Sequence, residues 1–104
     1  MQVGKYQVRD GLSKFMCGRI TAMLADAYLD GSNRAFYDAS IEAAPYMITG
    51  GPGVPDPVQC KVAGVKCERV DPEWIAENVS AEDAIAVLDA CMRASEVGAG
   101  ESKN

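Results

Sequence analysis

Residues 70–97, VDPEWIAENVSAEDAIAVLDACMRASEV, decide how this chain folds. Two helix starts are written into them. Asp71-Pro72 is a polar cap followed by proline at the first helical position, where a missing N–H costs nothing. Ser80-Ala81-Glu82-Asp83 is a second cap, with acids in the first turn where the helix dipole favours them. A short helix is therefore expected from Asp71 to about Glu77, carrying Trp74 and Ile75. A four-turn helix is expected from Ser80 to Ser95. Ala84, Ile85, Leu88, Cys91 and Met92 form its apolar side, and Glu82, Asp83, Asp89 and Arg93 point outward.

Immediately upstream, VQCKV-AG-VKCERV (residues 58–70) reads as two alternating runs around Ala63-Gly64. A turn at those two residues pairs Val62 with Val65, Lys61 with Lys66 and Cys60 with Cys67. One face then carries Val58, Cys60, Val62, Val65 and Cys67, and the other Gln59, Lys61, Lys66 and Glu68. Ala-Gly is not a favoured two-residue turn. A longer loop would shift the pairing, and a slip of one residue would exchange the faces. Before this hairpin, TGGPGVPDP (residues 49–57) is too rich in glycine and proline for a helix or a central strand. It reads as a linker or as an ordered crossing loop.

Further upstream the period is helical. Leu12, Met16, Ile20, Met23, Leu24 and Ala27 fall on one side of a helix spanning Leu12 to Leu29. Gly18 marks a bend or a close approach within it. Gly31 suits the left-handed residue after that helix, and Ser32 or Asn33 caps a second one from about Arg34 to Ala44. Pro45 ends it. A short apolar step, Tyr46-Met47-Ile48, is expected to be buried. Val3, Tyr6 and Val8 suggest one short strand at the start, and Asp10-Gly11 a turn or a cap.

The expected fold class is α+β, mostly helical: an N-terminal helical hairpin, a Gly/Pro-rich loop, a β-hairpin and two C-terminal helices. Residues 1–97 are read as a single small globular domain and 98–104 as a flexible tail.

Charge excludes some functions. The chain of 104 residues carries −5, with five bases against six acids in residues 1–57 and five against nine in 58–104. With no basic stripe, direct nucleic-acid binding is not expected. No apolar run approaches the ~20 residues that span a bilayer, and MQVGKYQVRDG lacks the apolar core of a signal peptide. The expected location is cytoplasmic, without membrane association.

No motif calls for a cofactor. Histidine is absent, which removes the usual general base and the Ser-His and Cys-His pairs. Zinc would need Cys17, Cys60, Cys67 and Cys91, whose spacings are too wide. Cys60 and Cys67 face each other in the hairpin register above and are the candidate disulfide pair, the plainer reading being two reduced small hydrophobes. The glycine run at residues 50–53 lacks the Lys-Ser/Thr of a phosphate loop. The chain is thus read as non-enzymatic, with no catalytic, cofactor or metal residues. A binding surface is expected instead on Met16, Ile20, Met23, Tyr46, Met47 and Trp74, since methionine-bearing faces adapt to partner segments.

The residues Asp71, Trp74, Ile75, Ser80, Asp83, Ile85, Leu88 and Met92 carry a resemblance. In this C-terminal half, with its acidic short segment, polar junction and amphipathic helix, the chain resembles the tail assembly chaperones of tailed bacteriophages. The helix ending in AAPYMITG resembles the one preceding that segment in the family. The resemblance implies a viral protein in the host cytoplasm, without catalysis, whose apolar surface shields a tape-measure or tail-tube partner until assembly. The expected partner is another protein, with a homo-oligomer as a variant. Two alternatives stay open. One is an acidic anti-defence inhibitor competing with nucleic acid for a protein partner, which needs Glu73, Glu77, Glu82, Asp83 and Asp89 on one face. The other is a small cysteine-dependent redox protein, for which Cys17 beside Arg19 is the pair closest in sequence.

Overall fold

Small polar side chains start the helices by accepting amide protons that the first turn leaves unpaired. In the computed structural model, which describes the backbone of residues 1–102 and the side chains of 1–95, α1 (Lys14–Asp30) begins where Ser13 Oγ accepts the Met16 amide at 3.2 Å. Asp10 is not the cap. Its carboxylate lies 3.0 Å from the amino terminus instead. Gly31, at φ 76°, closes α1, and Ser32 Oγ accepts the Ala35 amide at 3.1 Å to open α2 (Asn33–Ala43). α2 ends at Ala43, within a residue of the expected Ala44, and Pro45 sits in the first turn of a 3-10 segment, Ala44–Tyr46, that follows it. Asp71 accepts the Glu73 amide at 3.1 Å ahead of α3 (Pro72–Asn78), and Ser80 accepts the Asp83 amide at 3.1 Å ahead of α4 (Ala81–Ser102). The tail expected over 98–104 falls outside the described side chains, although the α4 backbone continues to Ser102.

The protein is α+β, with two small antiparallel sheets. The N-terminal segment contains two strands rather than the single one its alternation suggests. β1 (Gln2–Val3) and β2 (Tyr6–Val8) turn at Gly4, φ 57°, and β3 (Ile48–Gly50) adds to the other side of β2. Thr49 and Gly50 thus belong to an edge strand rather than to the Gly/Pro break, which begins at Gly51. There φ is 141°, and an added Cβ would meet the Lys5 carbonyl oxygen at 2.8 Å.

β4 (Val58–Val62) and β5 (Val65–Arg69) form the second sheet, with Cys60 opposite Cys67 and Val62 opposite Val65. Ala63 and Gly64 have φ of 50° and 82°, so both central turn residues are left-handed, as a type I′ turn needs. The inner face differs from the expected one at its edges. Val58 and Val65 are 60% and 42% exposed, while Arg69, on the same face, is half-buried.

α2 packs across α4 through small residues. Ala43, Ala44 and Ala84 are fully buried, which lets the backbones come close. Around them Tyr6, Val8, Met16, Ile20, Met47, Ile48, Val70, Ile75, Val79, Val87, Leu88 and Cys91 complete one core. The carbonyls after α2 tie the parts together. Pro45 O accepts the Val70 amide at 2.9 Å, Tyr46 O accepts Arg9 Nε at 2.9 Å, and Met47 O accepts the Arg9 amide at 2.9 Å. One short turn therefore anchors the first sheet, the hairpin exit and α2. Among the described residues no helix is long and apolar enough to cross a membrane.

Candidate functional site

α1, the end of α2, the 3-10 turn, the hairpin and α3 leave a groove between them, a cavity of about 640 Å³. The helical period of α1 places Met16, Ile20 and Met23 along one wall. Ile41 and Pro45 continue it, and Tyr46, Val62, Pro72 and Ala76 close the other side. Arg19, Asp38, Glu42 and Arg69 stand at the rim with both signs of charge. The volume falls in the range of about 300–1,000 Å³ that suits a ligand or an inserted side-chain cluster.

Arg69 shapes one end. Its guanidinium carbon lies 5.9 Å from the Tyr46 ring centroid, and Nη1 donates to the Tyr46 hydroxyl at 3.2 Å. That hydrogen bond raises the guanidinium pKa further, against the lowering effect of burial. Arg9 holds the other side of Tyr46 by its backbone carbonyl and reaches Glu68 at 3.4 Å. Arg69 thus holds the hydroxyl end of Tyr46 and Arg9 its backbone.

No protein-family model, curated protein or solved structure matches this chain.

The six candidate contact residues separate into two groups. Met16, Ile20, Met23 and Tyr46 come together on the groove. Met16 and Ile20 are only 7% and 1% exposed, so they form its floor, while Met23 and Tyr46 reach solvent. Met47 does not join them. It is fully buried, because the 3-10 turn rotates it into the core beside Ile48. Trp74 is half-buried on α3 and lies against the crossing loop, 4.0 Å from where a Gly53 Cβ would stand. It serves there as an anchor for the loop. Ile41, Val62, Arg69 and Ala76 carry no mark in the sequence, because each belongs to a different element and only the fold assembles them.

Glu73, Glu77, Glu82, Asp83 and Asp89 are exposed. Asp89 shares its charge with Arg93 at 3.1 Å, and Asp71 and Ser80 are occupied as caps. All four cysteines are free thiols. Cys60 and Cys67 place their sulfurs 2.9 Å apart, half-buried beneath the hairpin. Cys17 rests its thiol 3.7 Å from the Leu12 carbonyl. Cys91 is fully buried, and burial pushes its thiol up to about 11, away from the thiolate that reactivity needs. Among the described residues no group of three or more His, Cys, Asp or Glu gathers as a metal site.

Proposed function

We propose that the protein is a non-enzymatic protein-binding module that receives an apolar segment of a partner in the groove between α1, the 3-10 turn and the hairpin. The observation that carries this reading is the convergence of Met16, Ile20, Met23 and Tyr46 on one cavity of about 640 Å³ with a rim of mixed charge. Methionine side chains repack around different shapes, and a groove of this kind accepts an amphipathic helix through residues at three- and four-residue spacing. Arg19 is available to acids on the partner and Glu42 to bases, while Asp38 already pairs with Arg34 at 3.9 Å and Arg69 is engaged by the Tyr46 hydroxyl at 3.2 Å.

The specific form of this proposal is tail assembly chaperoning in a bacteriophage, in which the bound segment belongs to a tape-measure or tail-tube protein held back from premature association. The resemblance of residues 71–92 supports that form. The groove supports only the broader one.

The test uses Met23→Glu and Ala76→Arg, which place charge in the groove from positions that are half-buried and exposed. Both variants are expected to keep the fold, with unchanged far-ultraviolet circular dichroism, and to lose the co-purifying partner that wild type retains. Equal recovery of the partner by wild type and both variants would move the binding site elsewhere.

A further inference from the structure

The hairpin carries a feature that partner binding does not use. Cys60 and Cys67 are directly opposed across β4 and β5, with sulfurs 2.9 Å apart. Opposed residues in an antiparallel pair have Cα atoms about 4.5–5.5 Å apart, inside the window of roughly 4.4–6.8 Å that a disulfide requires. Closing the bond thus needs little movement of the strands. Cys67 also borders an open cavity of about 200 Å³ in whose lining Arg9, Lys66 and Glu68 are the charged groups. The cavity brings a small disulfide up to Cys67, and since Arg9 pairs with Glu68 at 3.4 Å, Lys66 is the cation left in its lining for an anionic one. Cys17 and Cys91 lie outside this arrangement, one on α1 and one sealed in α4.

We propose that Cys60 and Cys67 are a redox-active dithiol that closes to an intrachain disulfide by exchange with a small anionic disulfide of the glutathione type. Cys67, as thiolate, attacks one sulfur of the external disulfide and expels one thiolate, leaving a mixed disulfide on Cys67. Cys60, as thiolate, then attacks the Cys67 sulfur and expels the second. Two protein thiols are oxidised, one external disulfide is reduced to two thiols, and the two protons leave with those thiols. The hairpin is a two-stranded sheet, which is marginal alone, so the new bond limits its opening. Burial and the hydrogen bond to Cys60 raise the Cys67 pKa, while Arg69 and Arg9 oppose this more weakly. Exchange therefore accelerates as pH rises above neutral.

Incubation of the full chain with oxidised glutathione, followed by alkylation under denaturing conditions and peptide mapping, tests the proposal. The expected product has lost two hydrogens, keeps Cys17 and Cys91 alkylatable, and joins the peptides containing Cys60 and Cys67. Amide exchange across residues 58–69 should slow by about tenfold or more in that product. Cys60→Ser, at a half-buried position on the hairpin, should accumulate a stable glutathione adduct on Cys67, since nothing resolves it. Four alkylated cysteines after oxidation, separate adducts on Cys60 and Cys67, or a bond to Cys17 or Cys91 would each overturn it.

Discussion

Arg69 lies across the ring of Tyr46 and donates Nη1 to its hydroxyl at 3.2 Å, joining the last residue of the hairpin to the last residue of the 3-10 turn. With Arg9 on the Tyr46 carbonyl, two guanidinium groups from opposite parts of the chain grip one tyrosine. Arg69→Ala removes the hydrogen bond and the guanidinium over the ring, and should cost about 1–2 kcal/mol by denaturant titration. Tyr46→Phe keeps the ring and should cost less, about 0.5–1 kcal/mol. Equal losses from the two would show that the hydroxyl alone carries the contact.

Gly18 interrupts α1 without a structural return. It is exposed, and a Cβ there meets nothing within 4 Å. The close approach that a mid-helix glycine can allow is absent. Gly18→Ala should therefore stabilise the fold by about 1 kcal/mol through helix propensity. Gly51→Ala should do the opposite, because its φ is 141° and the Lys5 carbonyl stands 2.8 Å from the new Cβ. Thermal melts of the pair should move in opposite directions.

Ala63 holds φ at 50°, which costs a residue with a Cβ about 1–2 kcal/mol. Asparagine tolerates that conformation better, and Asn-Gly is the favoured pair for this turn. Ala63→Asn should raise stability by a fraction of that cost and slow amide exchange in β4 and β5. An unchanged exchange pattern would mean that the turn does not limit hairpin opening.

Cys91 gives the stability a signed pH dependence. Desolvation raises its pKa to about 11 from an ordinary 9.0; Cys17 adds to the rise, while Arg9 and the amino terminus oppose it. A folded pKa above the unfolded one means a contribution fully present below pH 9.0 and lost as pH climbs through about 11. Cys91→Ala should be less stable than wild type at neutral pH, since it leaves a small void in the core. The gap between the two should narrow from pH 9.0 to about 11. A constant gap in denaturant titrations across that range would contradict the assigned burial.

Much of this architecture can be read along the chain where the signals are local. Gly31, Ser32, Asp71 and Ser80 act on groups within four residues, and each terminates or starts a helix at the expected place. Cys60 and Cys67 are separated by a short turn whose length sets their pairing. The first sheet is different. Gln7 meets Gly50 across most of the N-terminal half, and nothing local in a Thr-Gly pair announces a strand. Ser13 is the cap of α1, but the Asp-Gly turn signal just before it is the stronger one in the sequence. The groove divides in the same way. Met16, Ile20 and Met23 share a helical face, but Arg69 and Ala76 reach it only through tertiary packing.

The central claim is that this groove holds a partner protein, and native mass spectrometry of the chain captured from its native lysate tests it most directly. Wild type should carry one defined protein at fixed stoichiometry, and folded Ala76→Arg should carry none. A bare wild-type monomer, or a partner held equally by Ala76→Arg, would contradict it.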